Sequence, residues 1–294
     1  MALVLGIDGG GTSTKAVILD HERLVWEGSG PASNLVTTSP ADTAVLLRNL
    51  LAGCPQPDDV CGAFAGLVTT HQANSVEETL RELFPAATVR AVPDFEAALA
   101  ACEPTANLCV IAGTGSIVCN RHEGSVKRTG GRGYVLGDEG SAFQFGRDAL
   151  LAFLDGSDEA VSETLASAVE HAFGTRCRSD AIAALYASPG LAGRVASLAP
   201  ALVTDAANQE IYALKSLRTN MAKLAHVCRQ HLKRYGPENP VIGCQGGLWA
   251  SPVYRRAFVD ALPLWCEISP DKVLFDLPAP VFGAAAIARR SHVD

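Results

Sequence analysis

Short apolar runs alternate with glycine-rich turns over the first thirty residues of the chain. The runs Leu3–Asp8, Thr14–Asp20 and Arg23–Gly30 lie only a few residues apart, which predicts strands joined as antiparallel hairpins. Ser39 then resembles a helix cap, and Val60–Val68 is predicted as a buried strand. Strand and helix signals continue to alternate to about Glu103. Three strands followed by alternating helices and strands predict a mixed sheet covered by helices.

The pattern restarts after Pro104. An apolar run, Leu108–Ile111, leads into the glycine turn Gly113–Ser116 and a second apolar run, Ile117–Asn120, which repeats the strand, turn and strand at the N-terminus. This repeat predicts two like-folded domains that face each other across a cleft. The predicted domains are 1–105, joined by the closing helix 281–294, and 106–280 with a helical insertion. The further predicted helices are Glu77–Phe84, Ser141–Leu154, about Ala201 to Tyr235, and Ser251 to about Leu262.

The composition is typical of a globular protein with a large buried core. Of 294 residues, 48% are hydrophobic and 19% are charged. The 24 Lys and Arg against 31 Asp and Glu, without a basic run, disfavour a nucleic-acid partner. No apolar stretch approaches the roughly 20 residues that span a bilayer, and the N-terminus lacks a signal-peptide pattern. We therefore expect no membrane association and a cytoplasmic location, with the nine scattered cysteines as reduced core residues.

Two glycine turns are candidate phosphate-binding loops. The first, Asp8 to Thr12, has three consecutive glycines, which let successive backbone N–H groups approach phosphate oxygens. Asp8 could hold Mg²⁺ through water, and the Thr12 hydroxyl could donate to a phosphate. An ordinary tight hairpin is the alternative. The second turn, Gly113–Ser116, favours the phosphate interpretation, although neither turn is a P-loop or a Rossmann fingerprint.

Two carboxylates and one amide are candidate ligands of a substrate. Asp94 directly follows a predicted strand, where a general base could deprotonate a hydroxyl and where a helix N-cap is equally common. Asp138 lies in a glycine-dense segment that enters a helix, so it could bind sugar hydroxyls or interact with the helix N-terminus. Asn34, a turn residue, could bind a hydroxyl if its loop faced the cleft.

The motifs Leu5-Gly-Ile-Asp-Gly-Gly-Gly-Thr12, Gly113-Thr-Gly-Ser116 and Gly137-Asp-Glu-Gly-Ser141 together resemble the N-acetylglucosamine kinase group. That group belongs to the superfamily of actin, sugar kinases and heat-shock-protein ATPases, and it is close to the benzoyl-CoA reductase activator ATPases. The resemblance covers residues 5–286 and implies an α/β fold of two ribonuclease H-like, actin-like ATPase domains, with mixed sheets flanked by helices. The glycine turns are shared across the superfamily, whereas GDEGS after GTGS is more specific to amino-sugar kinases.

The resemblance implies a role for each matching residue, with Asp94 as the catalytic base and Asp8 as the magnesium residue. The residues expected to bind the sugar are Asn34, Asp94, Ser116, Ile117, Gly131, Arg132, Gly133 and Asp138. The residues expected to bind ATP are Gly10, Gly11, Thr12, Lys15, Thr114, Gly115, Gly246 and Gly247. The sequence departs from the group at Arg132, where relatives often carry a bulky aromatic residue, and at Ile117, where a polar residue can occur. The substituent accepted on the C2 nitrogen of the sugar is therefore left open.

The resemblance implies magnesium-ATP-dependent phosphorylation of the 6-hydroxyl of an amino sugar, with N-acetylglucosamine as the first candidate. Glucosamine is the alternative substrate, but Arg132 disfavours its cationic amine if the arginine faces the site. An activator-type ATPase that drives a partner protein is the alternative of another class, and it requires an iron–sulfur cluster for which no thiolate cluster is evident. A pure binding module would leave the two glycine turns without a purpose. The oligomeric state is open, with a homodimer as one arrangement.

Overall fold

The computed structural model describes residues 2–156, 161–187 and 190–290, and residues 291–294 of the predicted closing helix lie outside them. The strands are β1 Leu3–Gly9, β2 Thr14–Asp20, β3 Arg23–Gly30, β4 Asp59–Phe64, β5 Thr88–Pro93, β6 Leu108–Ala112, β7 Ser116–His122, β8 Ser125–Gly130, β9 Ile242–Gln245 and β10 Val273–Leu274. The helices are α1 Pro40–Leu50, α2 Thr70–Leu83, α3 Asp94–Cys102, α4 Ala142–Asp155, α5 Glu163–Phe173, α6 Arg178–Ala187, α7 Leu191–Ala196, α8 Ala199–Ala207, α9 Ile211–Tyr235, α10 Pro252–Ala261 and α11 Pro280–Arg290. Short 3₁₀ helices occur at Gly247–Ala250, Leu262–Leu264 and Pro270–Lys272.

The two five-stranded sheets have the same strand order. The first is β3-β2-β1-β4-β5 and the second, read in the same direction, is β8-β7-β6-β9-β10. In the first sheet β1 runs antiparallel to β2 and parallel to β4, so the sheet is mixed. In the second, β7 and β8 are antiparallel whereas β9 and β10 are parallel. The repeated order is the one that the predicted internal repeat leads us to expect. The predicted α/β class with mixed sheets flanked by helices is confirmed.

The first of two compact units contains Met1–Cys109 together with Asp276–Asp294. Helix α11 packs on β1 and on α3, and glycines allow both contacts. A Cβ on Gly6 would collide with the backbone of α11, and a Cβ on Gly283 would collide with the backbone of α3. Alternate residues of β1 point to opposite faces of the sheet, so Val4 belongs to the core under α11 and Leu5 to the core under α1 and α2.

Two elements of this unit differ from their predicted bounds. Helix α2 begins at Thr70 rather than near Glu77, because Thr69 and Gln72 form a capping box at its N-terminus. Its first two turns bury only Val76, so the apolar spacing could not show them. Strand β4 ends at Phe64 rather than at Val68, since the chain turns at Gly66 with φ +74°.

The second unit contains Val110–Phe275 and is mainly helical outside its sheet. The predicted helical stretch from Ala201 to Tyr235 is two helices, α8 and α9, which are separated at residues 208–210. Helices α5, α6 and α7 were not predicted. Among the described residues, no helix has the length and apolar character needed to cross a bilayer.

Candidate functional site

The first glycine turn joins β1 to β2 and is open to solvent. Gly9 pairs with Thr14 at the base of the hairpin, and the N–H of Gly10 donates to Ser13 O at 2.9 Å. Gly11 and Thr12 are exposed, and a Cβ on Gly11 would meet nothing within 4 Å. In the described part of the chain, no group accepts a hydrogen bond from the N–H of Gly11 or Thr12. These two N–H groups are therefore available to an anionic ligand.

A buried hydrogen-bonded pair fixes the neighbouring loop to this turn. The hydroxyls of Thr14 and Ser33 lie 2.8 Å apart, and both residues are fully buried. The Thr14 hydroxyl donates to Pro31 O at 2.6 Å, so the Ser33 hydroxyl supplies the proton between the pair. The N–H of Ser33 also donates to Gly10 O at 3.1 Å. These groups are buried and cannot bind water instead, so moving the loop would leave their hydrogen bonds unsatisfied. The hydrogen bonds therefore hold the loop in this position.

That position places Asn34 directly after the fixed Ser33. The Asn34 Oδ1 atom accepts from the N–H of Val36 at 2.9 Å, so its Nδ2 group remains to donate to a ligand acceptor. A Cβ on Gly66 would collide with Asn34 Oδ1. The structure therefore brings Asn34 close to the first glycine turn. Sequence reasoning missed Thr14, Ser33 and Gly66, because their partners come from distant parts of the chain and no local pattern marks them.

Two carboxylates meet at the carboxyl ends of the parallel strands of the first sheet. Asp8 pairs with Ala63 on β4, and Ala63 pairs with Val92 on β5, two residues before Asp94. Burial, and then the charge of Asp94, raise the pKa of Asp8 to about 6, against an opposing effect of Lys15. Carboxylate oxygens are the ligands that Mg²⁺ prefers, and a divalent cation would offset the repulsion between these two groups. The described residues contain no cluster of three or more His, Cys, Asp or Glu side chains that could ligate a metal ion directly. The two carboxylates therefore fit a magnesium ion that is held partly through water.

Asp94 is the first residue of α3 and does not cap it. The N-cap is Pro93, which makes no side-chain cap hydrogen bond. The Asp94 Oδ1 atom accepts from the N–H of Phe95 at 2.9 Å. A carboxylate in the first turn of a helix is stabilised in its charged form by the helix dipole, as a base requires. Of the two predicted interpretations of Asp94, the N-cap is thus wrong.

The second glycine turn joins β6 to β7 and rests on the N-terminus of α4. The N–H of Gly113 donates to Gly115 O at 2.9 Å, and Gly113 O accepts from Ala142 at 2.8 Å. Thr114 O accepts from the N–H of Phe143 at 3.3 Å. The Ser116 hydroxyl donates to Glu139 O at 2.8 Å, so its proton is not free for a ligand. The turn is therefore held by backbone groups on both sides.

Asp138 lies against this turn with one carboxylate oxygen unsatisfied. Its side chain is 6% exposed, and a Cβ on Gly115 would stand 2.7 Å from its Oδ2 atom. Among the described residues no group donates to its Oδ1 atom. Burial raises the pKa of Asp138 to about 6, although the N–H groups of Ser116 and Gly133 oppose the shift. A buried acceptor without a donor indicates a place for a ligand hydroxyl.

A glycine loop borders Asp138 on the other side. Gly130, Gly131 and Gly133 have φ of +80°, +62° and +83°. A Cβ on Gly131 would collide with the side chain of Ile117, so the loop packs directly on β7. The structure thus brings Ser116, Ile117, Gly131, Gly133 and Asp138 together within the second unit, and Arg132 is exposed on the same loop.

The loop at Gly246 and Gly247 lies beside the second glycine turn. Gly246 has φ +109°, and a Cβ on it would collide with Ala112 O at the end of β6. Ala112 directly precedes Gly113, so the two loops are neighbours. Both glycines are exposed. An exposed backbone surface of this kind can accept a flat or phosphorylated ligand.

Comparisons with protein families and with single proteins both give a match. A sequence profile of the BadF/BadG/BcrA/BcrD ATPase family matches residues 5–264. The N-acetylmuramic acid/N-acetylglucosamine kinase of Clostridium acetobutylicum is 33% identical over 177 residues, which cover 56% of this chain and 58% of that kinase. The match therefore spans less than two thirds of that relative's length.

Solved structures share the fold along the whole chain. A candidate N-acetylglucosamine kinase of Porphyromonas gingivalis has a TM-score of 0.77 and 20% identity, over 98% of this chain and 99% of that one. Another, from Chromobacterium violaceum, has a TM-score of 0.75 and 21% identity over the same shares. At these identities the likeness concerns the fold.

Proposed function

Because the chain belongs to the BadF/BadG/BcrA/BcrD ATPase family, we propose that it is an ATP-dependent kinase that phosphorylates the 6-hydroxyl of an amino sugar, N-acetylglucosamine first. The observation that carries the proposal is the unsatisfied, buried oxygen of Asp138 beside a glycine turn. A ring hydroxyl of a bound sugar would donate to that oxygen. The named activity of the Clostridium acetobutylicum relative supports the same choice.

The two glycine turns bind the phosphates of ATP in this proposal. Within residues 2–156, 161–187 and 190–290, no acceptor binds the exposed N–H groups of Gly11 and Thr12, so these groups can donate to a phosphate. The residues assigned to ATP are Gly10, Gly11, Thr12, Lys15, Thr114, Gly115, Gly246 and Gly247. Asp8 would hold Mg²⁺ through water, and that ion, when bound, supplies charge neutralisation on the phosphates.

Asp94 acts as the base. Its carboxylate orients the 6-hydroxyl of the sugar and accepts its proton while the hydroxyl oxygen attacks the terminal phosphorus. Most of the rate enhancement in such a transfer comes from in-line positioning of the reactants and from electrostatic support of the transferred group.

The sugar binds through polar groups that the fold holds in place. The residues assigned to it are Asn34, Asp94, Ser116, Ile117, Gly131, Arg132, Gly133 and Asp138. Asp138 accepts hydrogen bonds from ring hydroxyls, and Asn34 donates through Nδ2. Ser116 contributes mainly by holding Asp138, since its hydroxyl proton and its N–H are both used inside the protein. Glucosamine is the weaker candidate, because an exposed arginine on the sugar loop repels a cationic amine.

The activator-type ATPase remains the alternative from another class, and one assay separates it from the kinase. ADP release with magnesium-ATP is measured with N-acetylglucosamine, glucosamine, N-acetylmuramic acid, glucose and no sugar, and the product is located by ³¹P NMR. We expect an amino sugar to stimulate ADP release strongly and to appear as a 6-phosphate. Equal release with and without every sugar would contradict the kinase and would favour an ATPase that serves a partner protein.

A further inference from the structure

Hydrogen bonds to three successive carbonyl groups hold the turn that carries Asp138. Asp138 O accepts from the N–H of Ser141 at 3.1 Å. Glu139 O accepts from the hydroxyl of Ser116 at 2.8 Å, and the third carbonyl, that of Gly140, has its donor on α10. Asp138 has φ +64°, a conformation that residues other than glycine rarely adopt and that persists where surrounding contacts maintain it. The three hydrogen bonds therefore determine where the Asp138 carboxylate lies.

The donor on α10 is the hydroxyl of Tyr254. It donates to Gly140 O at 2.7 Å, and Tyr254 is fully buried. Its ring makes edge contacts with the rings of Trp249 and Phe145, with centroids 4.7 Å and 5.7 Å apart. Because the ring is packed on aromatic neighbours and the hydroxyl is buried, the position of the Gly140 carbonyl follows that of Tyr254.

Helix α9 packs against the same glycine. A Cβ on Gly140 would stand 2.9 Å from the Cβ of Leu224 and 3.2 Å from the Cε of Met221. The Gly140 backbone is thus in close contact with α9 and accepts a hydrogen bond from α10. Packing restricts where this peptide group can lie, whereas the directional hydrogen bond sets the orientation of its carbonyl.

The ring of Tyr254 also supports the loop assigned to ATP. The short 3₁₀ helix Gly247–Ala250 contains Trp249, whose N–H donates to Gly246 O at 3.3 Å. The indole N–H of Trp249 donates to Val110 O at 3.2 Å. The aromatic ring of Tyr254 therefore packs on the ATP side, through Trp249, while its hydroxyl reaches the turn assigned to the sugar. Removing the hydroxyl alone separates these two contacts.

We propose that Tyr254 is a positioning residue that holds Asp138 in its sugar-binding place through the hydrogen bond to Gly140. The proposal rests on the proposed sugar-kinase function and adds a residue that has no assigned contact with sugar or ATP. A buried carbonyl that loses its donor is costly, so the turn relaxes toward another partner when the hydroxyl is absent. Asp138 then moves, and the sugar loses an acceptor in the right place.

The first test is Tyr254→Phe, which keeps the ring. The control is Tyr212→Phe, which removes a hydroxyl that donates to Asp205 Oδ2 between α9 and α8. Calorimetry measures the binding of N-acetylglucosamine, of glucosamine and of a non-hydrolysable ATP analogue, and thermal unfolding shows that each variant is folded. We expect Tyr254→Phe to raise the sugar Kd about three- to tenfold and the Kd of the ATP analogue less than about twofold. Tyr212→Phe also loses a hydrogen bond, but it should leave both Kd values unchanged.

The second test asks whether Tyr254 acts through Asp138. Tyr254→Phe is combined with Asp138→Asn, and the sugar Kd of the double variant is compared with that of Asp138→Asn alone. If the hydroxyl works by placing the carboxylate, the second substitution should change the sugar Kd less than about twofold, because the two effects are not additive. A residue that only stabilises the fold would give the same factor in both backgrounds.

Two results would overturn the proposal while leaving the kinase function intact. These are an unchanged sugar Kd in Tyr254→Phe and an equal rise in both backgrounds. Failure of the wild type to bind either sugar would overturn the positioning role and the proposed function together. Phosphate transfer is measured separately. Sugar binding that depends on Tyr254 and Asp138, without transfer, would contradict the kinase function and would support the positioning role.

Discussion

Gly66 leaves open the space that the amide oxygen of Asn34 occupies. A Cβ on Gly66 would collide with Asn34 Oδ1 and would stand 2.9 Å from the N of Val36, which donates to that same oxygen. Gly66 also has φ +74°, a conformation that disfavours other residues. The glycine therefore fixes the direction in which Asn34 presents its Nδ2 group.

Replacing Gly66 by Ala tests this relationship, and the chain offers a matched control. Gly53 has φ +73°, and a Cβ on it would meet nothing within 4 Å. Both Gly→Ala variants should lose about 1 kcal/mol of the free energy of unfolding through backbone strain. Gly66→Ala should in addition lower kcat/KM for the sugar at least about tenfold, because Asn34 must move. Equal sugar kinetics in the two variants would remove Asn34 from the sugar site.

Asp94→Asn tests the proposed base. The amide keeps the shape of the side chain but cannot accept the proton, so kcat should fall about 10²- to 10⁴-fold while the sugar Kd changes less than about tenfold. Glu96→Gln is the control, because it removes one negative charge from the same first turn of α3. The measurements are steady-state kinetics and equilibrium sugar binding. A kcat for Asp94→Asn close to that of Glu96→Gln would exclude Asp94 as the base.

The local parts of the site could be predicted from the sequence. The turns at Gly9–Gly11 and at Gly113–Gly115 follow from glycines between two short apolar runs, and those runs are strands in the structure. The strand before Asp94 could be recognised for the same reason. In each case the signal lies within a few residues, so a single sequence contains it.

The features of the site that the sequence does not predict depend on contacts between residues that are distant in the chain. Asp8 and Asp94 interact because β4 lies between β1 and β5, and no local pattern gives that strand order. The unsatisfied oxygen of Asp138 depends on burial under Gly115 and the loop at Gly133, which only the folded chain shows. Helix α2 begins two turns before its predicted start at Glu77, because a capping box, rather than an apolar residue, defines its N-terminus.

Gly246→Ala tests the contact between the two loops assigned to ATP. A Cβ on Gly246 would collide with Ala112 O, and φ +109° is open only to glycine. The variant should lose about 1–3 kcal/mol of the free energy of unfolding, and its KM for ATP should rise as the loop shifts. Gly247→Ala is the control for stability, since its Cβ would meet nothing within 4 Å. Equal unfolding free energies in urea for both variants would contradict the close packing of Gly246.

The buried carboxylate of Asp138 should lower the free energy of unfolding of the protein above pH 6. Its pKa is about 6 in the folded protein against 3.8 for an ordinary aspartate, chiefly because the carboxyl is buried. Between these two pH values the folded state binds more protons than the unfolded state, so the free energy of unfolding falls as pH rises. Above about pH 6 the loss is complete and amounts to about 1–3 kcal/mol.

Asp138→Asn should therefore stabilise the protein and impair sugar binding at the same time. Asparagine has no proton to lose and accepts the φ of +64° at this position, so the variant should exceed the wild type by about 1–3 kcal/mol at pH 8. The gain should vanish below about pH 4, where the wild-type carboxyl is protonated in both states. Urea denaturation from pH 4 to 8 measures this gain in stability, and Glu139→Gln controls for the loss of one charge from the same loop.

Asp138→Asn should also weaken sugar binding. Because the amide offers one acceptor where the carboxylate offers two, the sugar Kd should rise at least about tenfold. A variant that is less stable than the wild type at pH 8 would contradict the cost of burying the Asp138 carboxylate. A variant that binds sugar normally would show that the buried Asp138 oxygen is not a ligand site.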